Sequence, residues 1–225
     1  MTGAIYHFTD KSKKRPVVCE KQIKELKAFA ASMGVDVQEV YLDKTLVVNE
    51  QKEFERLLNE CEKYEALVTK DFYHISKNTM ACMNLMKEFR DNGVTIYSIE
   101  NGTFSFEDVP VSKPLRVVSY THADANIRDV NNLVSVQNDI YSLFVKKKTN
   151  WTMGTHFADI CKLQNDKEQE ELREMIKRKD EFDIVIVNNL NDIHWRTSKF
   201  CKIREALGKD IYSLQDGYLK YMKEN

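Results

Sequence analysis

The 225-residue chain carries 34 Lys and Arg against 35 Asp and Glu, is 42% hydrophobic, and holds only seven Gly and three Pro. That length suits one large domain or two of about 110 residues, and so little Gly and Pro excludes a low-complexity or linker-rich chain. Charge is even along the sequence, with 15 basic and 18 acidic residues up to Ser112 and 19 and 17 beyond it, so neither half has the basic excess expected of a protein that clamps duplex DNA alone.

Residues 2–9 read as a short first strand, followed by the polar, basic loop Asp10-Lys-Ser-Lys-Lys-Arg-Pro16. Ile23, Leu26, Phe29, Ala30 and Met33 recur at helical spacing, and Gly34 stops that helix. Residues 37–42 alternate as a second strand, and Phe54, Leu57, Leu58 and Cys61 mark the next helix. The bare apolar run Ala66-Leu-Val-Thr69 suits a buried parallel strand. Met80, Met83, Leu85, Met86 and Phe89 mark a third helix ending near Asn92-Gly93, and residues 94–99 form a further strand. This βαβαβαβ order argues for an α/β domain with a mainly parallel sheet.

The order then starts again. Residues 115–120 read as a strand with a polar segment to Asp129, and a helix runs through Leu133, Val136, Ile140, Leu143 and Phe144. A strand at 153–157, a helix through Leu172, Met175 and Ile176, and the strand Ile184-Val-Ile-Val187 follow. Phe200, Ile203 and Leu207 lie on a last helix with Gly208 behind it, before the strand at 211–214. Tyr6 and Tyr120 end the two first strands, with Asp10 and Asp124 each four residues on, and Ile96-Tyr-Ser-Ile-Glu-Asn-Gly102 lines up with Ile211-Tyr-Ser-Leu-Gln-Asp-Gly217. The sequence therefore reads as two tandem copies of one α/β domain, 1–109 and 114–225, with Pro110 and Pro114 at the junction.

The first copy resembles the catalytic domain of the serine recombinases, the resolvase/invertase family. The resemblance spans about residues 3–102. It is carried by the strand ending near Tyr6, Gln22 opening the next helix, Asp43 closing the second strand, Phe54-Glu-Arg-Leu-Leu58, the Leu67–Thr79 segment and Asn92-Gly-Val-Thr-Ile-Tyr-Ser-Ile99. A fainter likeness covers 116–217, with Gln137, Asp159 and the Ile184–Thr197 segment in matching places. The resemblance implies a serine that attacks a DNA phosphodiester, with arginines neutralising the phosphate oxygens. The family's motifs resemble Tyr-x-Arg-x-Ser on the first strand and Asp-Arg-Leu-x-Arg after the third.

Neither motif is intact. The first reads Tyr6-His7-Phe8-Thr9-Asp10, so Phe8 stands at the arginine position and Asp10 at the nucleophile. The second reads Tyr73-His74-Ile75-Ser76-Lys77 and keeps one cation, Lys77, which lacks the two-point grip of guanidinium. In the second copy the segments are Tyr120-Thr121-His122-Ala123-Asp124 and Asn191-Asp192-Ile193-His194-Trp195, with Arg196 one residue off register. Trp195 at a former arginine position reads as apolar bulk refilling the pocket.

The expectation is a degenerate site with no cofactor and no metal, in a recombinase-like pseudoenzyme, of the kind mobile elements encode, that acts by binding. The partner would be a protein, either a recombinase or a copy of the same fold met as an internal pseudo-dimer. DNA would be a weak partner and a membrane none. The alternative is a DNA recombination enzyme with a remodelled site. No long helix and no helix-turn-helix, zinc ribbon or basic arm follows either copy.

Other features keep two readings each. Asp10, Asp43, Asp124 and Asp159 near strand ends either hold Mg²⁺ or cap loops and helices, and the absence of a converging ligand set favours capping. His7 and His74 flank the degenerate site and would approach each other there. The basic runs at 11–15 and 146–148 read as solvated loops or as phosphate contacts. The start of the chain has no leader pattern, and no apolar run reaches the ~20 residues that span a bilayer. The five scattered cysteines, never in Cys-x-x-Cys spacing, read as reduced thiols, and both features point to the cytoplasm.

Overall fold

A computed structural model describes residues 1–8, 16–43, 51–107, 113–162, 164 and 167–221. The chain divides into two compact units, Met1–Thr103 and Phe104–Lys223.

The first unit runs β1 (Thr2–Phe8), α1 (Pro16–Ser32), β2 (Asp36–Asp43), α2 (Lys52–Asn59), β3 (Ala66–Thr69), α3 (Thr79–Asp91), β4 (Thr95–Ser98) and β5 (Gly102–Thr103). Its sheet has the order β2-β1-β3-β4-β5, parallel except for the antiparallel β5. The central strands are apolar on both faces, as parallel strands covered by helices must be. Ala66, Leu67, Val68 and Thr69 are all buried. Leu26 and Ala30 of α1 pack with Ile5, Val35 and Val68, while Met83, Met86 and Phe89 of α3 are buried and Met80 is exposed.

The second unit runs β6 (Ser105–Glu107), β7 (Leu115–Ala123), α4 (Val130–Lys146), β8 (Trp151–Ile160), α5 (Glu170–Lys177), β9 (Ile184–Val187), α6 (Thr197–Leu207), β10 (Asp210–Ser213) and β11 (Gly217–Lys220). Its sheet order is β6-β11-β10-β9-β7-β8. Strands β8, β7, β9 and β10 are mutually parallel, and β11 and β6 are added antiparallel. Leaving β6 aside, this is the strand order and direction of the first sheet. Even the irregularity recurs, between Gly3 and Ala4 where β1 meets β2 and between Val117 and Ser119 where β7 meets β8.

Three findings depart from the sequence reading. Residues 104–107, assigned there to the first domain, lie in the second unit, because β6 pairs with β11 and Phe104 is buried against Phe200 and the Arg204 guanidinium. The short strands β5, β6 and β11 are not among the elements read from the sequence, where the residues after Gly217 suit at most a short tail helix. On α4 the apolar set Leu133, Val136, Ile140 and Leu143 is exposed, and the helix packs instead through Tyr141 and Val145. Four of the five cysteines are buried and all are free thiols. Among the described residues no helix is long and apolar enough to cross a membrane.

One backbone approach fixes how β1 meets the chain behind α1. A Cβ built on Gly3 would lie 2.2 Å from Val35 Cγ1 and 3.1 Å from the Ala66 carbonyl oxygen. Gly3→Ala should therefore cost about 1–3 kcal/mol in urea unfolding, the usual penalty of overpacking, and Val35→Ala in the same chain should recover part of it.

Candidate functional site

In both units a tyrosine, an aspartate and a glutamine bind the same way. Tyr6 of β1 donates to Asp43 Oδ2 at 3.1 Å and accepts from Gln51 Nε2 at 3.1 Å. Asp43 also accepts from the backbone N–H groups of Glu53 (3.1 Å) and Phe54 (3.0 Å) in the first turn of α2. In the second unit Tyr120 donates to Asp159 at 2.9 Å and accepts from Gln169 at 3.1 Å. Asp159 accepts from Glu171 N at 2.9 Å and Leu172 N at 3.0 Å. Burial and the adjoining carboxylate push both tyrosine hydroxyls far above their ordinary pKa, so they act only as donors and acceptors. Asp43 and Asp159 are thus helix caps, and among the described residues no group of three or more His, Cys, Asp or Glu could hold a metal ion.

A second element is also duplicated. Ser98 Oγ donates to the Lys70 carbonyl, and Asn101 accepts from Phe72 N at 2.9 Å. Ser213 Oγ donates to the Asn188 carbonyl, and Asp216 accepts from Leu190 N at 3.0 Å. These bonds hold the turn that follows β3 or β9 beside the end of the neighbouring strand. There the 3-10 segments Phe72–His74 and Leu190–Asp192 present the residues of the broken motif.

In the first unit these residues form an imidazole and aromatic cluster. Side chains alternate along β1, so Tyr6 serves the cap while His7 turns to the other face and meets His74; Phe8, the last residue of the strand, also reaches the His74 ring. The His7 and His74 rings stack at 5.0 Å with an interplanar angle of 21°, and Phe8 lies 4.4 Å from the His74 ring and 6.4 Å from that of Tyr73. His7 Nε2 is 3.0 Å from Gln22 Oε1 on α1, and its buried Nδ1 has no partner. His74 Nδ1 is 2.7 Å from Asp71 Oδ1, which also accepts the His74 backbone N–H at 3.0 Å. Burial opposes the Asp71 carboxylate, but the hydrogen bond and charge of His74 outweigh it and hold the carboxyl below its usual range. Burial, then the neighbouring His74, lowers the His7 pKa to about 4, which leaves this imidazole neutral at neutral pH.

Cations are at the margin. Lys77 Nζ sits 6.0 Å from the centre of the Tyr73 ring, and Lys70 is ion-paired to Glu100 at 3.1 Å. The cluster can hold and pass a proton through the Asp71–His74 pair, but it offers no guanidinium fork to a phosphate. Asp10 and the basic run at 11–15 lie outside the described residues.

The corresponding region of the second unit has different chemistry. Thr121 stands where His7 stands in the first unit, and with Gln137 it lies beside the buried Tyr141 hydroxyl, which donates to the Tyr120 carbonyl at 3.5 Å. His122 is half-buried, and burial lowers its pKa against the pull of Asp159 and Asp124. Asp124 closes its own turn by accepting from Asn126 N and Nδ2, both at 2.8 Å. Asp192 accepts from Asn189 N at 3.2 Å and is pushed up to about 6 by burial. The Asn191 side-chain oxygen is buried without a partner, while its carbonyl accepts from Gln164 at 2.7 Å.

Trp195 does not refill a pocket. The residue is 40% exposed, with the Arg196 guanidinium 4.6 Å from the centre of its ring, and its backbone N–H donates to Gln164 Oε1 at 2.6 Å. Sequence reading brought His7 and His74 together correctly. It missed Asp71, whose signal is an Asp three residues ahead of a His in a short turn, and the capping glutamines Gln51 and Gln169.

Comparison with known proteins places the first part of the chain. Residues 9–118 match the family model described as Resolvase, N terminal domain, which covers the first unit after Phe8 and the start of β7. Similar solved structures include a resolvase family site-specific recombinase from Streptococcus pneumoniae (14% identity, 66% of this chain and 93% of that one, TM-score 0.40). Another is the N-terminal catalytic domain of TP901-1 integrase (20% identity, 45% and 79%, TM-score 0.39). A third, LsrB from Clostridium saccharobutylicum in complex with AI-2, aligns over 95% of this chain at 13% identity and a TM-score of 0.30. No curated protein matches the chain.

The buried His7 makes the first unit acid-sensitive in a defined window. Its pKa is about 4 folded against 6.5 for the free side chain, so between these values the unfolded chain binds more protons and stability falls as pH is lowered. Urea midpoints measured from pH 7 to pH 4 should decline for the wild type, and His7→Gln should flatten that decline.

Proposed function

We propose that this chain is a serine-recombinase-like protein made of two tandem copies of the catalytic domain, and that it acts by binding rather than by breaking DNA. The carrying observation is the contact of Phe8 with His74, ring centres 4.4 Å apart at a tilt of 54°, where the family resemblance puts an arginine on the scissile phosphate. Phosphoryl transfer through a serine ester depends on fixed cations at the non-bridging oxygens, and losing one such donor can cost ~10²–10³ in rate. Here an aromatic ring occupies one such position, a neutral imidazole lies beside it, and Asp10 at the nucleophile position would repel a phosphate.

The tandem reading is supported by the shared strand order and by the matching Tyr–Asp–Gln bonds in both units. The divergent motif residues support loss of the reaction in both. The partner on this reading is a protein, a recombinase or a protein–DNA assembly whose action the chain modulates.

A second reading, a recombination enzyme with a remodelled site, is favoured by one feature. The 2.7 Å Asp71–His74 pair orients an imidazole as general acid–base sites do.

The two readings part in one experiment. The purified chain is incubated with supercoiled plasmid and with a labelled random duplex. Nicking and detergent-resistant protein–DNA adducts are measured, along with anisotropy at low and physiological salt. The binding reading expects neither nick nor adduct, and duplex binding that is weak or vanishes as salt rises. Cleavage that is lost in His74→Ala and Lys77→Ala would overturn it in favour of the remodelled enzyme.

A further inference from the structure

The face of α4 turned away from its own sheet has a patterned surface. Leu133 is 43% exposed, Val136 49%, Ile140 43% and Leu143 60%, while Tyr141 and Val145 on the opposite side are buried. The four exposed residues follow one another at spacings of three, four and three, which keeps them in a single stripe along a helix. Extending the stripe by four residues each way reaches Asp129, the exposed N-cap, and Lys147, the exposed C-cap. The full line is therefore Asp129, Leu133, Val136, Ile140, Leu143, Lys147, about 27 Å long at the rise of an α-helix.

This line is a palindrome about position 138. Turned end for end, it places leucine on leucine (133 on 143), valine on isoleucine (136 on 140) and the acid on the base (129 on 147). From these features we infer that α4 is a self-association face on which a second copy of this chain docks, its α4 antiparallel to the first. A two-fold axis through position 138 makes the contact isologous, so every favourable pair occurs twice. The antiparallel arrangement also sets the positive end of each helix dipole beside the negative end of the other. A parallel pair would instead face Asp129 with Asp129 and Lys147 with Lys147.

Arg128 approaches Asp129 at 3.9 Å, but both side chains are largely exposed, at 97% and 79%, and such a pair contributes little. Four large aliphatic side chains in one exposed stripe mark an interaction surface rather than ordinary scatter. Because a single helix pair is smaller than a standard interface, the expected affinity is on the order of micromolar.

The test is sedimentation equilibrium of the full chain across the micromolar range, on the wild type and four variants checked for native circular dichroism. Leu143→Asp, at an exposed position where folding is not at risk, should leave only monomer. Asp129→Lys and Lys147→Asp should each weaken dimerisation on the order of tenfold, since each turns two attractions into two repulsions. The chain carrying both reversals should dimerise like the wild type. A wild type that stays monomeric at every concentration, or a dimer indifferent to Leu143→Asp, would overturn the inference. A dimer weakened by Leu143→Asp but not restored by the double reversal would overturn the antiparallel pairing.

Discussion

In each unit a buried carboxylate at the end of one strand holds three partners at once. It accepts the hydroxyl of a tyrosine on the neighbouring central strand and two backbone N–H groups at the start of the next helix. The tyrosine hydroxyl and the second N–H of each set, from Phe54 or Leu172, lie in buried bonds and would be costly to leave unpaired. The aspartate sits at the point where the chain leaves the sheet and a helix must begin, so one side chain fixes strand, turn and helix together. A glutamine at the helix start completes the tyrosine from the other side. Everything at the carboxyl end of the sheet is referenced to this bond set, because β1 and β7 carry the tyrosine and the motif residues on adjacent positions.

That adjacency explains how scaffold and site diverge. The pleat sends Tyr6 toward the cap and His7 to the other face at His74, with Phe8 reaching the same ring from the end of the strand, so the site can change without disturbing the cap. The two units bear this out residue by residue. The cap bonds agree to within a few tenths of an ångström, whereas His7 beside Gln22 in one unit becomes Thr121 near Gln137 in the other. Likewise Asp71, which receives His74, gives way to Asn189, which donates to Asp192. The carboxylate and the backbone donor have exchanged positions across the same short turn. The bond set that starts the helix is thus common to the two units, and the residues around the turn are not.

Much of this order was legible in the sequence because its signals are local. Alternation, helical spacing and a glycine stop mark β1, α1, β2 and α3, and the bare apolar runs of β3 and β9 mark strands covered on both faces. What failed is equally physical. Strands β5 and β11 are two and four residues long and fold back as tight hairpins on β4 and β10 through Asn101-Gly102 and Asp216-Gly217, a local turn signal that the strand reading passed over. Strand β6, by contrast, pairs only with the distant β11, which no local pattern encodes. On α4 the periodicity was real but assigned to the wrong face: Leu133, Val136, Ile140 and Leu143 make a cleaner stripe than Tyr141 and Val145. Spacing shows that a face is apolar and not what covers it. Trp195 misled for the opposite reason, since bulk alone does not say whether a side chain fills a pocket or, as here, stays exposed beside a guanidinium.

The histidine pair was legible only through the family resemblance, and its chemistry needed the coordinates. Burial and the adjacent His74 lower the His7 pKa to about 4, so at neutral pH this imidazole can offer a hydrogen bond but no positive charge. The burial that excludes water from the stack is what removes that charge. A guanidinium at Phe8 would have to be desolvated against the His74 ring, and Asp71, the carboxylate bonded to that ring, is already committed to it. Among the described residues, aromatic packing thus takes the place of charge at this position. Restoring arginine at position 8 alone would bury a charge, and a working phosphate cradle would require the stack itself to be dismantled.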